Sequence, residues 1–371
     1  MFYISYYTTP DDVRASSPAA VAKTESIAKA IAENDIDVTI LSTCTTARRG
    51  SGFVKGRKFS VDKNIICKQI PFFITGFGPF RRLQYILANI WLFLLLVFRA
   101  KKGGNVLFYH AIERIGPVLA AKKLKKFRLI LEVEEIYNDS LNIPPKKAAL
   151  ERKCFAAADS YIFPTALLND AVNTESKPYE VIHGTYEVSP ILSEASGDCV
   201  HVVYAGTLNP LKGCAAAIDA AEFLDDRYHM HILGYGTPEQ IEETKSHVDD
   251  ISKKTNCKVT FEGLLQGEEY IKFLQTCHIG ISPQNPDARF NDTSFPSKIL
   301  SYMANGLQVV SIRIPAIELS QVGSAIHFFD EQKPEYIAEA IKNVDLIKAE
   351  NPRDIINDLR NKFKRDIMNL M

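Results

Sequence analysis

The 371-residue chain lacks the features that define several large classes of protein. Its seven cysteines form no Cys-x-x-Cys or Cys-x-x-His pair, so a cysteine-based zinc site is not expected. Their odd number and wide spacing favour reduced core thiols in a cytoplasmic protein over a disulfide framework. The 44 basic and 44 acidic residues cancel, which argues against a nucleic-acid-binding protein. The N-terminus, MFYISYYTTPDD, has neither a basic n-region nor a small-residue cleavage site, so we expect no signal peptide.

The zero net charge conceals an asymmetry between the two halves of the chain. Residues 1–185 hold 26 basic and 17 acidic residues, whereas residues 186–371 hold 18 and 27. The first half therefore carries a charge of +9 and the second a charge of −9. Since a chain of this length normally forms two domains, we expect two domains with different partners.

No apolar run is as long as a typical membrane-spanning helix. The longest, Leu83–Phe98, has 16 residues and contains Gln84 and Asn89, whereas a span needs about 20 apolar residues. Basic residues flank it on both sides. We favour a buried helix of an α/β domain. The alternatives are a helix lying on an anionic membrane surface and, least favoured, a true span.

Strand-like and helix-like periods alternate along the whole chain. This alternation predicts right-handed βαβ crossovers and mostly parallel sheets. The pattern breaks in a turn-rich stretch after Val181 and restarts at Val200. We therefore expect an α/β protein of two Rossmann-like, doubly wound domains facing across a cleft. The expected domains are 1–185 and 186–345, and a C-terminal helix in 346–371 is expected to pack back toward the first domain.

Three segments of the second half place small and polar residues after predicted strands. The first, YAGTLNPLKG, ends at Gly213, and the second, HILGYG, ends at Gly236. Neither is a Walker loop or a complete G-x-G-x-x-G motif, so each alone is also compatible with an ordinary strand-to-helix turn. In the third, TSFPSKILSYMANG, Thr293 and Ser294 are predicted to cap a helix that begins at Phe295. Two helix N-termini together with Lys212 and Lys298 would hold a diphosphate without metal.

The order and spacing of these segments resemble the donor-binding domain of family-4-type retaining glycosyltransferases, which have the two-domain GT-B fold. The family writes strand–GRL–KG–helix, then strand–GxG, then FxGxL, and finally E-x-FP-xxxxEAMAxGxPVV. The corresponding segments here are YAGTLNPLKG, HILGYG, FEGLLQ and TSFPSKILSYMANGLQVVS. The resemblance implies a donor site formed by Gly206, Thr207, Lys212, Gly234, Tyr235, Gly236, Leu264, Asp292, Thr293, Ser294, Phe295, Pro296, Ser297, Lys298 and Ser301.

The sequence departs from this family pattern at charged positions. Thr207 replaces the arginine of GRL, and Thr293 and Ser301 replace the two glutamates that are eight residues apart. Hydroxyl groups can hydrogen-bond to a sugar or a ribose, but they carry no charge. We expect Lys298 to supply the missing cation.

The first half contains candidates for the acceptor side of the reaction. The family has a histidine at the end of a strand, and LILEVE places Glu134 at that position, followed by Glu135. The resemblance therefore implies that these carboxylates are catalytic, by orienting an acceptor hydroxyl or accepting its proton. The alternative is a solvated acidic loop.

A second group of acceptor-side candidates lies at the start of the helix predicted over Pro18–Glu33 and at the end of the strand predicted over Asn105–His110. Ser16, Ser17 and Pro18 stand where the family has its glycine loop, and His110 ends the strand-like run VLFYH. A histidine at such a position is also compatible with an ordinary core residue.

The resemblance implies transfer of a sugar from a nucleoside-diphosphate sugar to a hydroxyl of a glycan or lipid-linked acceptor, with retention and without a metal or other cofactor. We expect a cytoplasmic enzyme of surface polysaccharide or glycoconjugate synthesis, peripheral at the inner face of the membrane. Two alternatives stay open. One is a sugar-nucleotide epimerase on the same fold, and the other is a catalytically inactive scaffold, which the missing glutamates would suit.

Overall fold

The computed structural model of the chain describes residues 1–47, 52–141, 143–288, 291 and 293–371. They form two compact units. The first contains residues 1–185 and 361–371, and the second contains residues 186–360. The C-terminal segment is attached to the first unit by hydrogen bonds, among them one from the Ser160 hydroxyl to the Leu370 carbonyl at 3.1 Å.

The first unit is an eight-stranded sheet with helices and a separate two-stranded ribbon. Its strands are β1 (Phe2–Ser5), β2 (Val38–Ser42), β3 (Gly52–Val54), β4 (Lys58–Asp62), β5 (Ile65–Gln69), β6 (Phe72–Ile74), β7 (Asn105–Tyr109), β8 (Arg128–Glu132), β9 (Ser160–Phe163) and β10 (Tyr179–Val181). Its helices are α1 (Pro18–Ala32), α2 (Gly78–Arg99), α3 (Ile112–Lys125), α4 (Tyr137–Leu141), α5 (Pro145–Ala157) and α6 (Ala166–Val172). The sheet order is β10-β9-β8-β7-β1-β2-β5-β4, and β3 pairs with β6. All neighbours in the large sheet are parallel except β4 and β5.

The buried strands of this sheet are continuous apolar runs, as expected where helices cover both faces. In β8, for example, only Arg128 is partly exposed. The segment between β2 and α2 was not predicted. Its strands β3 and β4 are short and largely exposed, so they carry no core pattern that sequence reasoning could detect.

Helix α2 corrects the expectation of a buried helix. Only Ala88, Leu92 and Leu96 are buried along it, and these form one stripe against the core. By length and composition it is the one helix of the described residues that could cross a membrane, yet only 17% of its most apolar 18-residue window is buried. Most of its apolar surface therefore faces outward.

The second unit is a six-stranded parallel sheet. Its strands are β11 (Val200–Thr207), β12 (Tyr228–Tyr235), β13 (Lys258–Gly263), β14 (Ile279–Ser282), β15 (Gln308–Ile312) and β16 (Ile326–Phe329). Its helices are α7 (Cys214–Asp219), α8 (Pro238–Ser252), α9 (Gly267–Gln275), α10 (Ser297–Ala304), α11 (Pro315–Glu318) and α12 (Pro334–Lys342), and α13 (Pro352–Asp366) follows and ends in the first unit. The order β13-β12-β11-β14-β15-β16 is parallel throughout.

Tyr302 fixes helix α10 against this sheet. Its ring is fully buried, and its hydroxyl accepts a hydrogen bond from the Ala205 amide at 2.8 Å. A Cβ atom at Gly280 would come within 2.3 Å of that ring, so β14 needs a glycine at this point. The tyrosine thus ties α10 to β11 and β14, the two strands between which the strand order reverses.

Candidate functional site

The candidate site of the second unit lies at the carboxyl edge of its sheet. Gly206 and Thr207 end β11, and Gly234 and Tyr235 end β12 directly beside them in register. The chain order of the strands reverses between β11 and β14, and crevices at such points are the usual ligand sites of open α/β sheets. The backbone is closely packed here, since a Cβ atom at Gly234 would lie 2.5 Å from the Gly206 carbonyl oxygen.

Lys212 is the last residue of a short 3-10 turn, Pro210–Lys212, at this edge of the sheet. The Asn209 side chain caps the turn by accepting a hydrogen bond from the Leu211 amide at 2.9 Å. Gly213 follows with φ of 79°, a conformation that favours glycine. The Lys212 side chain is half-buried, and this desolvation lowers its pKa from the ordinary value.

Lys298 is the second residue of α10 and is directed at the same backbone. Its Nζ atom is buried and lies 3.1 Å from the position that a Cβ atom of Gly206 would take. It also lies 4.1 Å from the centroid of the Tyr204 ring, at cation–π distance. Among the described residues, no acceptor hydrogen-bonds to this ammonium group. Burial, and after it the charge of Lys212, lowers the pKa of Lys298 to about 7.

A buried ammonium group without an acceptor is costly, and an anionic ligand removes that cost. Lys298 and Lys212 lie close enough for the charge of one to depress the pKa of the other. The N-terminus of α10 adds amide donors and a partial positive charge at the same place. The arrangement can therefore hold a dianionic group such as a diphosphate.

The segment before α10 differs from the predicted helix start. The helix begins at Ser297, with Pro296 at the capping position and no side-chain cap, so the expected cap by Thr293 and Ser294 is wrong. The reason is local: Pro296 is itself extended, with φ of −70° and ψ of 101°, and a proline disfavours the helical region for the residue before it, here Phe295.

The remaining donor-site candidates differ in their exposure and in their partners. Leu264, Tyr235 and Gly236 are exposed, as is Ser297. Ser301 lies one turn beyond Lys298 on α10. The structure places its hydroxyl 3.3 Å from that of Tyr270, a partner that the sequence analysis missed. Asp292 lies outside the residues that the structure describes.

In the first unit, acidic residues cluster at the carboxyl end of β8. The strand ends at Glu132, so Glu134 lies two residues beyond it and forms an ion pair with Lys23 of α1 at 2.5 Å. Glu132 is fully buried and accepts a hydrogen bond from the Tyr3 hydroxyl at 2.5 Å. Burial, and after it the charge of Glu134, raises the pKa of Glu132 to about 8.

Sequence reasoning missed Glu132, although the alternation in LILEVE contained a signal. Residues two apart on a strand point to the same face, so the choice of Glu134 should also have suggested Glu132. Glu135 is half-buried and follows directly. The cluster thus combines a carboxyl group that stays protonated at neutral pH with a lysine-paired carboxylate, which can orient or deprotonate a hydroxyl.

The other acceptor-side candidates are split between core and surface. His110 is a core residue and not part of an exposed loop: its ring packs against Tyr137 and Phe155, and burial lowers its pKa to about 4. Ser16 shares a hydrogen bond with Thr8 at 2.8 Å. Ser17 and Pro18 are exposed at the start of α1.

Both a family model and solved structures match this chain. Residues 199–344 match the model of the family Glycosyl transferases group 1. The chain has the GT-B glycosyltransferase fold. Sucrose-phosphate synthase from Thermosynechococcus elongatus has a similar structure, with a TM-score of 0.66 and 13% sequence identity. The alignment covers 100% of this chain and 97% of the synthase chain. The expected fold and the resemblance to this family are therefore confirmed.

Two further solved structures have the same fold. The UDP-forming α,α-trehalose-phosphate synthase from Burkholderia vietnamiensis aligns with 100% of this chain and 96% of its own, with a TM-score of 0.66 and 11% identity. HepE from Anabaena, in complex with UDP and glucose, aligns with 99% and 98%, with a TM-score of 0.63 and 12% identity. Among curated proteins, none matches this chain.

Proposed function

We propose that this protein is a retaining glycosyltransferase that moves a sugar from a nucleoside-diphosphate sugar to an acceptor hydroxyl. The observation that carries the proposal is the buried Lys298 ammonium beside Gly206, in the segment that matches the group 1 family. A buried cation with no described acceptor, next to a second desolvated lysine, is the arrangement expected for binding a leaving diphosphate.

In this proposal the second unit binds the donor. Lys212, Lys298 and the N-terminus of α10 contact the diphosphate and stabilise the charge that develops as it leaves. These groups supply the positive charge that other transferases take from a metal, so no metal is required at this position. Thr293 and Ser301 hydrogen-bond to the sugar and the ribose in place of the family's glutamates. The acceptor hydroxyl attacks the face of the sugar that the diphosphate leaves, which retains the configuration.

The first unit binds the acceptor. Glu134 orients the acceptor hydroxyl or takes its proton, and its ion pair with Lys23 holds the carboxylate in place for that role. Burial keeps the neighbouring Glu132 protonated at neutral pH, so it adds no negative charge beside Glu134. Glu135 lies on the same segment and is the second candidate.

The surface of the first unit supports a lipid-linked acceptor. Leu83, Leu87, Ile90 and Leu94 form an exposed stripe on α2, opposite the stripe that packs in the core. A groove of about 1080 Å³ opens at the N-terminal end of this helix and is lined by apolar residues, threonines and two arginines. The apolar stripe would lie against an anionic bilayer at the cytoplasmic face, and the arginines would contact the acceptor's phosphate. Such an acceptor is typical of surface polysaccharide synthesis.

The donor half of this proposal is tested by screening nucleotide sugars for thermal stabilisation of the protein. A ligand at about 100 times its dissociation constant adds about 2.7 kcal/mol to the free energy of unfolding. Donors that stabilise the protein are then incubated with and without lipid-linked acceptors. A transferase releases nucleoside diphosphate and glycosylates the acceptor, whereas an epimerase converts the donor alone. An inactive scaffold does neither.

The membrane half is tested by sedimentation with anionic vesicles at low and high salt. Each basic residue near such a surface contributes about 1 kcal/mol, so binding should weaken as salt rises. Replacing Leu87 and Ile90 by asparagine should remove binding without unfolding the protein, because both side chains are exposed. Absence of binding at low salt would contradict this part of the proposal.

A further inference from the structure

A cluster of histidines lies at the opposite end of the second unit's sheet from the two lysines. His201 is near the start of β11, and His229 and His231 are near the start of β12. His201 is six residues before Thr207, which at about 3.3 Å per residue places the cluster about 20 Å from the donor edge. The proposed transfer reaction uses none of these residues.

The three imidazoles converge on one small space. One ring nitrogen from each lies within 4.8 Å of the other two. His201 Nδ1 is 2.9 Å from His231 Nε2, and the rings of His229 and His231 have centroids 3.7 Å apart. Parallel register explains the convergence, since His201 pairs with His229 and paired residues share a face of the sheet.

A carboxylate orients the central histidine. Glu262 of β13 accepts a hydrogen bond from His231 Nδ1 at 2.8 Å, which leaves the Nε2 lone pair of His231 directed at His201. A histidine that donates its other ring N–H to a carboxylate is the usual arrangement of a metal-ligating imidazole. The Thr260 hydroxyl contacts the same Glu262 oxygen and His229 Nε2, so the surrounding shell is also hydrogen-bonded.

We propose that His201, His229 and His231 bind a zinc ion, with Glu262 as the outer-shell carboxylate. At zinc–nitrogen distances of 2.0–2.1 Å, tetrahedral ligand nitrogens lie about 3.3 Å apart. The nitrogen of His201 and that of His231 are 2.9 Å apart and all three ligand nitrogens lie within 4.8 Å, so side-chain shifts of up to about 1.5 Å complete the site.

The site lies at the amino ends of the first two strands of the second unit, so a bound ion would cross-link them. Three histidines leave a fourth position for water, and zinc prefers nitrogen ligands of this kind. Lys258 of β13 pairs with His229 in register and so lies on the same face, where its ammonium charge opposes a bound cation. Replacing Lys258 by methionine should therefore strengthen zinc binding.

The test is a zinc titration of the untagged, full-length protein after chelator treatment, with a chromophoric chelator as competitor. We expect one zinc ion per chain, a rise in melting temperature that EDTA reverses, and a tetrahedral absorption spectrum when Co²⁺ replaces zinc. Glu262→Gln should weaken zinc binding by about 10–100-fold. His201→Asn and His231→Asn should weaken it further.

The control is His327→Asn, which removes a half-buried histidine of β16 in the same unit. His201 is partly exposed and Glu262→Gln keeps its volume, so these variants should fold, as circular dichroism will show. The increase in melting temperature that a nucleotide sugar causes should be the same in the His201→Asn and Glu262→Gln variants as in the wild type. The proposal is overturned if the wild-type protein takes up no zinc, or if the cluster variants bind zinc as tightly as His327→Asn.

Discussion

The titration of Lys298 gives the most specific prediction about donor binding. Its pKa of about 7 means that about half of the free protein carries a neutral amine there at neutral pH. A diphosphate interacts with the ammonium form, so donor binding should raise this pKa and take up close to half a proton at pH 7. Between this pKa and the raised pKa of the complex, the dissociation constant should rise by up to about tenfold per pH unit, because each unit of pKa difference is worth about 1.4 kcal/mol.

The assay is isothermal titration calorimetry with a nucleotide sugar, whose diphosphate diester does not titrate near pH 7. Repeating it in buffers of different ionisation enthalpy measures the proton uptake. Lys298→Met should lose about 1.5–3 kcal/mol of binding, or roughly tenfold to a hundredfold in affinity, and should lose the pH dependence. Lys212→Ala should lose similar affinity and keep a pH dependence, displaced to higher pH because the charge of Lys212 no longer lowers the pKa of Lys298, which makes it the matched control.

The same lysine should lower the stability of the unliganded protein. Its folded-state pKa lies below the ordinary value near 10.4, so the cost is largest below pH 7 and is relieved as pH rises from about 7 to 10. Lys298→Met should therefore unfold at higher denaturant concentration at neutral pH, with a gain of about 1–4 kcal/mol. The reasoning is refuted if the variant is less stable and also binds the donor with unchanged pH dependence.

Other predictions concern the acidic cluster and the glycine turn. Glu134→Gln should lower turnover by at least about tenfold with donor affinity nearly unchanged, whereas Glu135→Gln should have the smaller effect. Initial rates report catalysis, and melting temperatures report any loss of stability when the ion pair with Lys23 is removed. A Glu134→Gln variant as fast as the wild type would remove Glu134 from the mechanism. The pKa of Glu132 is raised to about 8, so its stabilising contribution at low pH is lost between about pH 4 and 8. Glu132→Gln should therefore gain stability relative to wild type over that range, by up to about 1.4 kcal/mol per pH unit in urea unfolding, and parallel curves would contradict the assignment. Gly213→Ala, which would place a Cβ atom 1.8 Å from a carbonyl oxygen at φ of 79°, should cost more than about 2 kcal/mol, whereas Gly197→Ala at φ of 88° meets no atom within 4 Å and should cost only about 1 kcal/mol.

Much of the fold could be predicted because parallel strands are continuous apolar runs separated by helices. Runs such as Val200–Ala205 and Gln308–Ile312 recur in the structure as β11 and β15. The ribbon strands β3 and β6 are short and half-exposed, so their residues follow no core period. The helix starting at Ser297 was placed two residues early, because the proline signal was taken as a first helical turn when Pro296 is extended.

The sites were harder to predict than the fold. The sequence could nominate Lys298 as a cation, but the burial of its Nζ depends on Gly206 and Tyr204, which are about ninety residues away in the chain. The histidine cluster joins residues of two strands through their register, which the sequence does not show. For His110 the sequence left two readings open, and the structure supports the core residue.

A crystal structure with a nucleotide sugar, or with its nucleoside diphosphate, would show whether the two lysines bind the diphosphate. We expect a phosphate oxygen about 2.8 Å from Lys298 Nζ, with Lys212 on the same diphosphate, at the edge formed by Gly206 and Gly234. A diphosphate bound elsewhere, with the Lys298 ammonium still buried and without an anionic contact, would contradict it.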